Sequence, residues 1–163
     1  SYFDPEERLK GIRLSLSKWR RPSPETIPCD TKAAGLYMIC TLSKHDAEKN
    51  GYADSLMLDF EGYVAEATGA NVFFIKDNEI HTPSPDCFLD GITRRTVIEL
   101  AKTRGLSIVE RKILPEEMAE FTECFLTGTA VEVTPVSQIG QYDFKPGLIT
   151  KNLMEDYISL VNR

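Results

Sequence analysis

The sequence holds 163 residues, 42% hydrophobic and 27% charged, which suits one soluble globular domain with a sizeable core. Its formal net charge of -6 argues against a nucleic-acid or anionic-membrane surface. No apolar run approaches the length of a membrane span, and the start carries no signal-peptide pattern.

Along the chain, Asp4-Pro5-Glu6-Glu7 reads as a helix start, with an N-cap, a first-turn proline and acids near the positive end. Gly11 ends that short helix. Ile12 to Ser17 alternates apolar and polar, as a half-buried strand does. Lys18, Arg20 and Arg21 around Trp19 form a short basic cluster, read as a solvated or locally paired face. Pro22, Pro24 and Pro28 make an extended loop, and Ala33 to Asn50 reads as a helix closed by Gly51. Strands are expected at Ser55 to Phe60 and Tyr63 to Glu66 around Glu61-Gly62. Asn71 to Lys76 and Glu79 to Thr82 flank Asp77-Asn78, a hairpin turn. After a loop with Pro83, Pro85, Asp90 and Gly91, Thr93 to Arg104 reads as a helix. Ser107 to Lys112 is a strand, and Pro115 opens a short acidic helix. Glu123 to Leu126 and Val131 to Val136 are strands around Thr127-Gly128-Thr129-Ala130, and Thr150 to Asn162 is the last helix. Strands and helices mix without strict alternation, which favours a mixed sheet or distorted barrel over a doubly wound parallel sheet.

The four cysteines, Cys29, Cys40, Cys87 and Cys124, contain no CxxC pair and read as reduced, mostly packed thiols of a cytosolic protein. His45 and His81 are too few and too far apart for a metal site. Two features suggest an anionic ligand. The amides after Gly91-Ile92 open a helix at Thr93, and a helix N-terminus with free N–H groups can hold a phosphate. Thr127-Gly128-Thr129-Ala130 could present N–H groups to an anion between two strands. Taken singly, the plain readings are a helix cap and a turn. Lys32 precedes a helix, where a lysine is electrostatically misplaced, as a Schiff-base lysine would be. A surface lysine is the plain alternative. Glu66 ends an apolar strand and faces either a cavity or water.

Four ordered segments carry a resemblance. They are Lys32-Ala33-Ala34-Gly35-Leu36-Tyr37, Glu66-Ala67-Thr68-Gly69-Ala70-Asn71-Val72-Phe73, Leu89-Asp90-Gly91-Ile92-Thr93-Arg94 and the run from Thr127 to Val136. Together they resemble the fold-type IV (class IV) pyridoxal-phosphate aminotransferases, over nearly the whole chain from Gly11 onward. The run from Gly128 to Val136 looks most like the branched-chain amino-acid branch. The resemblance implies the large, cofactor-binding domain of that family: a mixed-sheet pseudo-barrel with flanking helices. The smaller N-terminal domain of the family, which supplies a phosphate-binding arginine, is not found among residues 1–163.

By the same resemblance, Lys32 is the catalytic lysine that carries pyridoxal 5'-phosphate. Glu66 pairs with the pyridine nitrogen and Tyr37 with the ring O3′. Ile92, Thr93 and Thr129 hold the phosphate. Ala130 and Thr129 hold the substrate carboxylate, and Trp19 lines the side-chain pocket. Leu36 departs from the family pattern, which has Asn there in many relatives. Implied partners are an amino acid and a 2-oxo acid, in a homo-oligomeric cytoplasmic enzyme. Rival readings are a D-amino-acid aminotransferase, an aminodeoxychorismate lyase, and a folded but catalytically inactive scaffold.

Overall fold

The structure is a computed structural model that describes residues 5–162; the helix cap expected at Asp4 lies outside the described residues. Among the described residues, nine strands and four α-helices follow in the order α1 (Pro5–Arg8), β1 (Ile12–Arg20), α2 (Ala34–Lys49), β2 (Asp54–Leu58), β3 (Val64–Ala67), β4 (Asn71–Lys76) and β5 (Glu79–Pro83). Then come α3 (Ile92–Thr103), β6 (Ser107–Arg111), a 3-10 helix (Pro115–Glu120), β7 (Glu123–Gly128), β8 (Glu132–Ile139), β9 (Tyr142–Asp143) and α4 (Leu148–Val161).

The strands form one mixed sheet in the order β3-β2-β1-β8-β7-β4-β5-β6, with β9 beside β8. β1 runs parallel to both β2 and β8, and β5 to β6, whereas β4 is antiparallel to β5 and β7. Asp77 and Asn78 turn the β4–β5 hairpin with φ of 50° and 61°, the left-handed pair that a two-residue hairpin turn requires. The sheet curls until its ends meet. The Val64 N–H of β3 donates to the Ile113 carbonyl beyond β6 at 2.8 Å. The Lys112 ammonium closes the same seam on Glu61 at 2.9 Å. The result is the expected pseudo-barrel with flanking helices.

Strand alternation divides the core into two layers. Val72 and Phe74 of β4, with Cys124 and Leu126 of β7, point into the barrel beside Leu14, Leu56, Val136 and Ile139. Phe73, Ile75 and Phe125 point the other way, against Val97, Ile98 and Ala101 of α3 and Leu153 and Met154 of α4. The Phe73 and Phe125 rings stack with centroids 4.9 Å apart. β4 and β7 are thus buried on both faces, and their ends are fixed points on which a site can be built.

Three departures from the expected elements have physical reasons. β1 continues past Ser17 to Arg20 because β2 stays beside it, with Arg20 paired to Leu58. β8 runs on to Ile139 to pair with β9, a two-residue strand that carries no apolar alternation of its own. Arg21 leaves the solvated cluster: Lys18 and Arg20 are exposed, but Arg21 falls on the other side of the extended chain and is buried.

Candidate active site

A cavity of about 600 Å³ opens where four segments converge. Its wall is built from Asp30 to Lys32 with Leu36, Tyr37 and Cys40 of α2, from Glu66 and the turn 68–71, from the loop 88–93 into α3, and from Thr127 to Ala130. Arg21, Cys29, Pro85 and Arg95 complete it. Lys32, Tyr37, Glu66, Ile92, Thr93, Thr129 and Ala130 therefore share one cavity. Trp19 is not among its lining residues; β1 carries it half-buried beside Lys18, whose ammonium lies 4.3 Å from the ring centroid.

Lys32 lies in the loop ahead of α2, on the exposed side of the wall. Ala33 caps α2 with no side-chain hydrogen bond, so the first-turn amides of that helix are left to other partners. Tyr37 is half-exposed on the first turn, and Leu36 is buried beside it. At the Leu36 position the cavity wall is thus a packed apolar side chain.

Glu66 sits on β3, a strand whose four residues are all buried. Its Oε1 lies 3.4 Å from Arg21 Nε, with both side chains almost sealed from solvent. Burial pushes the Glu66 carboxyl up to about 8; the Arg21 guanidinium pulls it down and the Asp54 carboxylate adds to the rise. Asp54 is itself buried, accepting from the Thr68 hydroxyl at 2.6 Å and the Ser55 N–H at 2.7 Å. Arg21 is held in turn by the Cys87 carbonyl at 3.2 Å and the Cys40 sulfur at 3.4 Å. Arg21 is the functional residue that sequence reasoning missed. The alternation of β1 does not mark it, since Arg21 falls in step with Arg13, Ser15 and Ser17 and not with Ile12 and Leu14.

All four cysteines are free and buried. Burial pushes the Cys29 and Cys40 thiols up and the Cys87 thiol up to about 11, so these groups stay thiols and are poor nucleophiles.

The same cavity wall holds a candidate anion cup. Gly91 begins α3 with no side-chain cap, leaving first-turn N–H groups free to meet a ligand. Thr93 follows, buried, and the exposed turn of Thr129 and Ala130 lines the same cavity. A Cβ on Gly128 would stand 3.2 Å from the Gly69 carbonyl oxygen, so the turns after β3 and β7 approach closely there. Glu132 ends that turn at φ +54°, an uncommon conformation for a non-glycine residue, with its carboxylate 3.0 Å from Arg8 Nη2. The Thr127 hydroxyl is buried in this wall without a hydrogen-bond partner.

The sequence pattern described as Amino-transferase class IV matches residues 1–139. The chain belongs to the class IV amino-transferases. Among class IV relatives, a probable branched-chain-amino-acid aminotransferase of Rickettsia conorii (strain ATCC VR-613 / Malish 7) is 42% identical over 161 residues. The match covers 96% of this chain and 56% of that protein. The branched-chain-amino-acid aminotransferase of Escherichia coli (strain K12) is 35% identical, over 98% of this chain and 53% of its own. This chain spans about half the length of the curated relatives it matches. Among solved structures, a T.th. branched-chain amino acid aminotransferase complexed with N-(5'-phosphopyridoxyl)-L-glutamate superposes with a TM-score of 0.92 at 37% identity, covering 94% of this chain and 53% of that one. An aminotransferase from Brucella abortus bound to the co-factor PLP gives 0.88 at 34%, covering 94% and 55%.

Proposed function

We propose that this chain is the cofactor-binding part of a branched-chain amino-acid aminotransferase that uses pyridoxal 5'-phosphate held on Lys32. The observation that carries the reading is the convergence of Lys32, a buried Glu66 and an anion cup on one cavity. The residues present fit this cofactor. The cup would offer uncapped helix amides to a phosphate. In the same wall the buried Glu66 carboxyl suits a basic ring nitrogen.

When bound, the cofactor supplies an electron-withdrawing ring that lets a bond to an amino-acid α-carbon break. The chain's residues do the rest. Lys32 would hold the cofactor through Nζ and, once substrate displaces it, move the proton at the substrate α-carbon. Glu66 would accept a charge-assisted hydrogen bond from the ring nitrogen. A cationic nitrogen beside it favours the ionised carboxylate, against the burial that raises Glu66. Arg21 keeps the carboxylate on its side of the cavity and adds to that preference. Tyr37 would donate to the ring oxygen. The Ile92 and Thr93 amides, the Thr93 hydroxyl and Thr129 would hold the phosphate, and the Ala130 N–H and Thr129 the substrate carboxylate.

The relatives' own names support branched-chain amino acids as donors. The test is a transamination assay of the full-length protein with leucine, 2-oxoglutarate and pyridoxal phosphate. Glutamate should form, and Lys32→Ala should abolish it while the protein keeps its fold. Turnover by Lys32→Ala at the parent rate would contradict the assignment.

A further inference from the structure

The anion cup works only if the first amides of α3 are aimed at a fixed point, yet the helix start has no cap to hold it, since Gly91 has no side chain. Two buried side chains supply that hold. Asn71 at the start of β4 makes both available kinds of contact with the loop. Its Nδ2 donates to the Leu89 carbonyl at 3.0 Å, and its Oδ1 accepts from the Gly91 N–H at 3.3 Å. The fit is close: a Cβ on Gly91 would lie 2.7 Å from that Oδ1. The second is Arg94, just after Thr93 and 1% exposed. Its Nη1 donates to Asp90 Oδ1 at 2.9 Å, and its Nη2 to Glu110 Oε1 at 2.6 Å and to the Pro83 carbonyl at 3.1 Å. The loop is therefore tied to β4 through Asn71, and to β5 and β6 through Arg94.

We propose that Asn71 and Arg94 form a two-point clamp that positions the first-turn amides of α3 for the cofactor phosphate. This rests on the cofactor reading above and assigns both residues a positioning role, through the amides of α3. The guanidinium suits the task because its donors sit in a rigid planar fork, so it fixes an angle between helix and strands as well as a distance. A lysine would keep the charge between Asp90 and Glu110 but not the fork. The clamp therefore depends on shape, and a charge-conserving change exposes it.

The experiment compares the affinities of the full-length protein for pyridoxal 5'-phosphate and for pyridoxal, which lacks the phosphate. Dissociation constants come from absorbance titration, with the melting temperature recorded alongside. The parent should prefer the phosphorylated form. Arg94→Lys should weaken pyridoxal phosphate about tenfold, on the scale of one hydrogen bond to a charged group, while leaving pyridoxal affinity unchanged. Glu110→Gln, whose carboxylate is half exposed and which risks little of the fold, should show the same selective loss to a smaller degree. It decides the matter if Arg94→Lys does not fold. Equal weakening of both ligands would mean general loosening and would overturn the clamp, as would an unchanged preference in Glu110→Gln together with a folded Arg94→Lys. A parent that binds neither form would overturn the cofactor reading, and the clamp with it.

Discussion

Glu66 is where the cavity's electrostatics are most finely set. The carboxyl is buried between a cation, Arg21, and an anion, Asp54, and its burial outweighs the Arg21 attraction. Folded, it keeps its proton to about pH 8; unfolded, it releases it near the ordinary 4.5. Between those values the unfolded chain has lost a proton that the folded chain retains. Rising pH therefore favours unfolding. The stability contributed by this group is full below about pH 4.5 and is lost as pH rises through about 8. Glu66→Gln removes the titration and keeps the shape. The melting temperature of the cofactor-free variant should fall less between these pH values than that of the parent. Parallel curves for the two proteins would contradict the account. At this scale the chemistry was only half legible in the sequence. Lys32, Glu66 and Thr93 stand in motifs that can be read off the chain. Arg21 cannot be found that way, because its burial depends on β1 continuing three residues beyond its apolar alternation.

At the scale of elements, β4 and β7 carry the site, since Asn71 begins one strand and Thr127 lies at the end of the other, and the two pair directly. Their rigidity comes from double burial. Phe73 and Phe125 stack beneath α3 while Phe74 and Leu126 fill the barrel. Phe125→Ala should cost about 3–5 kcal/mol of unfolding free energy, measured by urea titration. A loss below about 1 kcal/mol would mean that the layer collapses to fill the gap, and that it does not hold the strand ends rigidly. Most elements were legible because apolar alternation and turn residues such as Asp77-Asn78 act locally. β9 was not: Tyr142–Asp143 is a strand only because Gln138 and Ile139 lie opposite, and such pairing is invisible to local pattern.

For the whole molecule, the site exists only when the curl of the sheet is complete. Lys32, Glu66, Thr93 and Thr129 are separated by long stretches of chain, and no segment alone makes a pocket. The seam from Val64 to Ile113 closes the barrel, and the ends of β3, β4 and β7 then meet the loops before α2 and α3. Composition told that one core was present, while the strand order that brings β8 beside β1 was not legible, because parallel pairing between distant strands leaves little local trace. The central claim is that this assembled cavity takes pyridoxal phosphate on Lys32. The direct measurement adds pyridoxal phosphate to the full-length protein, reduces with borohydride to fix any adduct, digests it and maps the modified lysine by mass spectrometry. The account predicts one dominant adduct, on Lys32. No adduct, or an adduct spread over other lysines with Lys32 unmodified, would contradict it.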